Sequence, residues 1–307
     1  MSSGIVKSSE SIFVPVRGLR YHVRSWGRKD APKLFLLHGW MDCSASFQFT
    51  VDALSRDWNV LAPDWRGYGL TQWAGTDTYW FPEFLADLEH LLDHFQADVP
   101  VNLVAHSFGA GVACVYAGVR PQRVAGLFNI DGFGSRDFQP EGAPARWAHF
   151  LKLVREGKRF GHYASFAALE QRLHKQFPRV SAPRIAWLAR HLAREDGHGG
   201  IAMLSDPSHA TNYGTHFSNR LDDSMACWRA ITAPVLWLIA RDGSPRRRVA
   251  DLSDGRLEQR LACYRTRKEV WLDDTGHMVH LERPEELARL IEDFFPGTTA
   301  GDKAVAA

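Results

Sequence analysis

The chain is poor in several features that would each commit it to a function class. It has four cysteines in 307 residues, Cys43, Cys114, Cys227 and Cys263, scattered and without a CxxC or Cys/His spacing. That excludes a disulfide framework and a zinc module of the ribbon or finger type, and it suits the reducing cytosol expected here. No apolar run reaches ten residues, short of the roughly 20 that cross a bilayer, so no membrane segment is expected. The start, "MSSGIVKSSE", lacks the basic-then-apolar order of a secretory signal. Charge of one sign is missing too: 37 basic residues face 35 acidic ones, for a net charge of +2. Nothing therefore points to a nucleic acid or an acidic membrane as partner. The run Arg246-Arg247-Arg248 is short and reads as a solvated helix start. No internal repeat and no phosphate-cradling glycine loop is present; "RGYGLT" matches one only weakly. Of the 14 histidines, those in the stretch 133–230 show no metal-ligand spacing. No metal and no cofactor is expected, and the oligomeric state is open.

What is present is a rhythm. "SIFVPVR" and "LRYHVRSW", joined through Gly18, alternate as an antiparallel hairpin does. "KLFLLHG" is instead a continuous apolar run, the mark of a strand covered on both faces. "NVLAPDWRGYG" repeats the pattern of apolar strand and glycine-rich loop. "YWFPEFLADLEHLLDHF" places Phe84, Leu85, Leu88, Leu91, Leu92 and Phe95 at helical spacing. "VNLVAH", "FGAGVACVYAGV" and "RVAGLFNID" then read as strand, helix and strand. Strands alternating with helices imply an α/β fold with a mostly parallel sheet and helices on both faces. The rhythm stops near residue 133. From there to about 230 the chain reads as helical, with Trp147, Phe150, Leu151 and Val154 on one helix face, and Ile185, Leu188 and Leu192 on another capped by Ser181. It resumes with "APVLWLIARDG" and "KEVWLDDTGHM", and Pro284 opens a closing helix. The expected organisation is a core of residues 11–132 and 231–295, an inserted helical cap over 133–230, and flexible ends at 1–10 and 296–307. The insert begins where a strand ends, the side on which open α/β sheets hold ligands.

The stretch "NLVAHSFGAGVA" ends a strand on His106-Ser107 and opens a helix with small residues. A nucleophile elbow strains the serine and tolerates only small residues two positions to either side, usually G-x-S-x-G. Here Ala105 stands in place of the first glycine, and alanine is still small. The competing reading is an N-capping serine after a core strand. A nucleophile needs a base and an orienting acid. His277, in the loop after the last strand, follows in the required chain order; His280 is its minor competitor, and His106 reads as structural or pocket-lining. Two acids are open. Asp131 ends "GLFNID" and Asp242 follows "VLWLIA", both at carboxyl ends of parallel strands, where either could instead be a turn residue. The oxyanion donors would be the backbone N–H groups of Phe108 and Trp40, with Gly39 admitting the backbone close to substrate.

With these residues assembled, the chain resembles the α/β-hydrolase family. The resemblance is carried by "LLHGW" (36–40), "APDWRGYGLT" (62–71), "AHSFGAG" (105–111) and "DTGHMVHLERPEEL" (274–287), and covers residues 11–132 and 231–295. Its nearest flavour is a bacterial serine-hydrolase-like subgroup. It implies Ser107 as nucleophile, His277 as base, and Phe108 and Trp40 as oxyanion donors. Many members place the acid as G-x-x-D after the strand matching 234–240, where "ARDG" brings Asp242 one residue early. Others place it one strand earlier, at the position of Asp131, and the choice leans that way with Asp242 retained. Haloalkane dehalogenases and epoxide hydrolases of this fold carry aspartate at the nucleophile position, so Ser107 argues against both.

The leading expectation is a carboxylesterase-like serine hydrolase, acting on a small or medium apolar ester or thioester through a Ser-His-Asp triad and an acyl-enzyme. The apolar, aromatic insert suggests that substrate class. C–C bond hydrolysis would use the same groups. Cofactor-free dioxygenation of an N-heteroaromatic is a second expectation, with His277 as base and Ser107 only positioning the substrate. A non-catalytic binding module is the third, disfavoured because every catalytic role has a candidate residue.

Overall fold

The computed structural model describes residues 6–134, 139–157, 162–210, 220–243 and 256–295. The arginine run at 246–248 and the tail from 296 lie outside these residues.

The first two strands, β1 (Ser9–Val16) and β2 (Leu19–Trp26), pair antiparallel through a two-residue turn at Arg17 and Gly18, with φ of +48° and +83°. Positive φ at both central residues matches the twist of a tight hairpin, and Gly18 adopts it without a Cβ penalty. Ser9 and Glu10, expected in the flexible start, already pair with Trp26 and Ser25 respectively.

The continuous apolar runs are the buried interior strands. β3 (Lys33–Leu37), β4 (Asn59–Pro63), β5 (Val101–His106), β6 (Val124–Ile130), β9 (Val235–Ala240) and β10 (Arg267–Leu272) pair in parallel, and β2 joins β4 antiparallel. The sheet runs β1-β2-β4-β3-β5-β6-β9-β10. Side chains alternate between two cores, one on each face. Phe35, Leu37, Leu103, Ala105, Trp237 and Ile239 enter one; Leu34, Leu36, Val104, Leu236, Leu238 and Ala240 enter the other. Sequences covered on both sides show no polar alternation.

Helices cover both faces. On the first lie α2 (Phe81–Gln96), α3 (Phe108–Val119) and α7 (Leu221–Arg229), through Phe84, Leu88, Val112, Tyr116, Met225 and Trp228. The second receives α1 (Gln48–Ala53) and α10 (Pro284–Phe294), through Val51, Leu287 and Ile291. The chain also holds α8 (Arg256–Leu261) and the single turn α9 (Val279–Glu282). α3 and α7 touch closely: a Cβ on Gly118 would lie 2.0 Å from the Cys227 carbonyl oxygen.

Within the stretch expected to be all helix lie α4 (Ala143–Glu156), α5 (Phe166–Gln176) and α6 (Ala182–Leu192). It also contains a small antiparallel pair, β7 (Ala193–Glu195) with β8 (Ile201–Met203). Three-residue strands carry too little periodicity to register in a sequence reading. Ile185, Leu188 and Leu192 pack with Leu169 and Leu173 into a third core that also takes Met278 and Leu281. Ser181 precedes α6 without a side-chain cap bond. The apolar side of α4 differs from expectation: Trp147, Leu151 and Val154 are exposed, and the buried residue is Leu153. α7, which falls within the stretch expected as insert, packs into the first sheet core rather than this third one.

Candidate active site

Ser107 sits between β5 and α3 with φ +53° and ψ −111°, a backbone state costly for a residue with a Cβ. Flanking size explains how the turn closes. Ala105 is fully buried in the first core, and a Cβ on Gly109 would lie 2.5 and 2.6 Å from the carbonyl oxygens of His38 and Leu37. Two residues after the serine only glycine fits, whereas two residues before it alanine is accommodated. The Ser107 N–H donates to the Ile130 carbonyl at 3.0 Å, which ties the turn to the end of β6.

His277 lies in the loop between β10 and α9. Its Nε2 is 2.9 Å from Ser107 Oγ and its Nδ1 is 2.6 Å from Asp131 Oδ2. A carboxylate accepts, so the imidazole proton belongs on Nδ1, and Nε2 is left to accept from the serine hydroxyl. Hydrogen bonds hold the loop: Gly276 N–H donates to Glu282 Oε2 at 2.6 Å, and His106 Nε2–H donates to the His277 carbonyl at 2.8 Å.

Asp131 is also strained, at φ +48°, just past the end of β6. Its N–H donates to the Leu238 carbonyl at 2.8 Å, and its Oδ1 accepts from Ala240 N–H at 3.0 Å. The end of β9 thereby aims the other oxygen at His277. Asp242 goes elsewhere. Its backbone N–H reaches Thr275 in the His277 loop at 2.9 Å, but its carboxylate takes Arg179 at 2.9 Å on the surface. The structure thus joins Ser107, His277 and Asp131 by hydrogen bonds and turns Asp242 toward a surface cation.

The turn after β3 lies beside Ser107. A Cβ on Gly39 would stand 3.2 Å from Ser107 Cβ and 2.8 Å from His106 Nδ1, so only glycine lets this backbone approach. Trp40 follows, with 38% of its surface exposed. Phe108 is the first residue of α3, where a helix N–H has no partner within the helix. Its ring meets Phe84 and Phe81 edge-on, at 4.8 and 6.2 Å between centroids.

Other motif residues hold this turn in place. His38, fully buried, accepts from Trp65 N–H at 2.9 Å, and burial lowers its pKa. Burial would raise the Asp64 pKa, but the hydrogen bond and charge of His22, then His38 and the Leu70 N–H, bring it below the carboxylate range. Asp64 also takes Ser44 N–H at 2.6 Å. Arg66 grips Asp87 with two nitrogens, and Tyr21 donates to the same carboxylate at 2.8 Å. "PDWRGYG" is therefore the clamp of the loop after β4. Asp42, which no sequence motif marks, lies buried with His106 and His280.

The profile of the α/β hydrolase fold family matches residues 32–284. A zebrafish serine hydrolase-like protein is 25% identical over 291 residues, covering 92% of this chain and 86% of that protein. Epoxide hydrolase B of Mycobacterium tuberculosis is 32% identical over 118 residues, 37% of this chain and 33% of that enzyme. Among solved structures, the thioesterase domain from the curacin biosynthetic pathway superposes with a TM-score of 0.80 at 22% identity, covering 92% of this chain and 99% of that one. Fold and relatives define a hydrolase. The chain belongs to the α/β hydrolase fold family, with the mostly parallel sheet and helices on both faces expected of it. The zebrafish match gives no ground for a bacterial subgroup. Among the described residues, no helix is long and apolar enough to cross a membrane.

Proposed function

We propose that this hydrolase is a serine hydrolase of the carboxylesterase or thioesterase kind, with Ser107, His277 and Asp131 as its triad. The observation that carries the reading is the unbroken hydrogen-bond chain Ser107 Oγ–His277 Nε2 and His277 Nδ1–Asp131 Oδ2, with the serine on a strained strand-to-helix turn. His277 takes the Ser107 proton as Oγ attacks the substrate carbonyl. The N–H groups of Phe108 and Trp40 hold the tetrahedral oxyanion, each contributing roughly 3–4 kcal/mol. His277 then returns the proton to the departing alkoxide or thiolate, and the acyl-enzyme forms. Water, deprotonated by His277, adds to the acyl carbon; collapse expels Ser107 Oγ, which regains its proton. Asp131 keeps the imidazole in the required tautomer and faces the imidazolium.

The substrate side is read as apolar and of small or medium size. Phe81, Phe84 and Phe108 form one edge-on array, and Trp80, just before α2, meets Phe150 of α4 at 5.7 Å between centroids. The segment carrying α4 to α6 acts as the cap. All four cysteines are free, which suits the cytoplasm as its place. The position of the acid after β6 keeps cofactor-free dioxygenation as the second reading, since the resemblance places the acid of those enzymes there.

Turnover of p-nitrophenyl esters, compared between wild type and Ser107→Ala, separates the two. Ester hydrolysis that disappears in the variant supports acyl transfer. Oxygen uptake with an N-heteroaromatic that survives the substitution would replace it with the second reading.

A further inference from the structure

Three buried groups that the acyl-transfer scheme does not use meet next to it. Asp42 follows the Gly39–Met41 turn, His106 ends β5, and His280 lies in α9; they are 3%, 2% and 0% exposed. One donor atom from each lies within 4.8 Å of the other two. His280 Nε2 stands 3.3 Å from Asp42 Oδ2 without hydrogen-bond alignment. Both ring nitrogens of His280 and Asp42 Oδ1 are buried with no hydrogen-bond partner among the described residues. Burying lone pairs and N–H groups in that state is costly.

We propose that Asp42, His106 and His280 form a binding site for a divalent transition ion of the Zn2+ class. Two imidazoles and a carboxylate suit such an ion, whereas Ca2+ and Mg2+ require mostly oxygen donors. Ligands at about 2.0–2.2 Å on a tetrahedral ion stand roughly 3.3 Å apart, the spacing that His280 Nε2 and Asp42 Oδ2 already have. The outer partners fit as well. Metal-bound histidines commonly donate their second N–H to a carbonyl. In His106 it is Nε2 that does so, to His277, which puts the ring proton there rather than on Nδ1. That Nδ1 faces Gly39, where a Cβ would stand 2.8 Å away. Ser46 Oγ donates to Asp42 Oδ2 at 3.0 Å and steadies the carboxylate. The ion would staple together the three segments that carry the oxyanion turn, the nucleophile turn and the base.

The test uses the full chain, stripped of metal with a chelator and titrated with Zn2+ by calorimetry and with Co2+ by visible absorption. One equivalent is expected to bind, with tetrahedral Co2+ bands and a rise in Tm. Asp42→Asn and His280→Gln, each checked for folding by circular dichroism, are expected to weaken binding at least about 100-fold. His277→Ala is expected to bind as wild type does. Asp42→Asn is close to isosteric, so it carries the test if His280→Gln does not fold. The proposal is overturned if the wild-type chain binds neither ion stoichiometrically, as it would if a water filled the cluster. Binding that persists in both folded variants, or that His277→Ala abolishes, overturns it equally.

Discussion

Replacing Asp131 by asparagine isolates what the acid does. Asp131 is 1% exposed, and its two oxygens have separate duties: Oδ1 accepts from Ala240 N–H at 3.0 Å and Oδ2 faces His277 Nδ1 at 2.6 Å. An asparagine keeps its carbonyl on Ala240, so its NH2 group must face His277. The amide then donates to Nδ1 and forces the imidazole proton onto Nε2. Nε2 points at Ser107 Oγ, 2.9 Å away, and a protonated Nε2 cannot take the hydroxyl proton. A carboxylate-to-amide change of this kind costs on the order of 10⁴ in kcat, about 5 kcal/mol. Asp242→Asn is the matched control. It removes a surface ion pair with Arg179, worth roughly 0–1 kcal/mol in stability, and is expected to leave kcat within about threefold. Initial rates on p-nitrophenyl butyrate, with a thermal melt to show that both variants fold, decide the matter. An Asp131→Asn enzyme within tenfold of wild type, beside an inactive Asp242→Asn enzyme, would refute the tautomer argument.

The other expectations concern the turns, the buried histidine and the thiols. Gly39→Ala sets a Cβ 3.2 Å from Ser107 Cβ and 2.8 Å from His106 Nδ1; displacement of the Trp40 N–H should lower kcat by roughly 10²-fold with little change in KM. Gly109→Ala drives a Cβ into the carbonyls of Leu37 and His38 and should destabilise the fold by about 1–3 kcal/mol in urea unfolding, whereas Ala105→Gly should retain activity. His209 is stacked between Tyr68 and Tyr79, with centroids 3.8 and 4.0 Å away, and burial lowers its pKa to about 3. The unfolded chain takes up that proton as pH falls below about 6.5, while the folded chain does not until near 3. Stability present above pH 6.5 is therefore lost progressively down to pH 3, and Tm measured across that range should fall less steeply in His209→Phe. Cys114 is buried and its pKa is pushed up to about 12, so labelling of this thiol by Ellman's reagent should wait on unfolding.

The parallel core was legible because strands buried on both faces announce themselves as unbroken apolar runs, as in "KLFLLHG" and "VLWLIA". The serine turn was legible because its size constraint falls on Ala105 and Gly109 themselves. Which aspartate meets His277 was not. Asp131 and Asp242 follow neighbouring parallel strands, β6 and β9, and only side-chain direction separates them. That direction depends on the φ of Asp131 and on Arg179, a partner between α5 and α6 that no motif marks. The β7–β8 pair was too short to show a period. Asp42, His106 and His280 come from three distant segments, so a search for ligand spacing along the chain passes over them.

The most direct test of Ser107 as an activated nucleophile is labelling of the folded chain with a fluorophosphonate, followed by mass spectrometry of the digested protein. A single adduct on Ser107, absent in Ser107→Ala and strongly slowed in His277→Ala, is the result expected. No adduct on the folded wild-type chain, or an adduct that persists unchanged in Ser107→Ala, would contradict it.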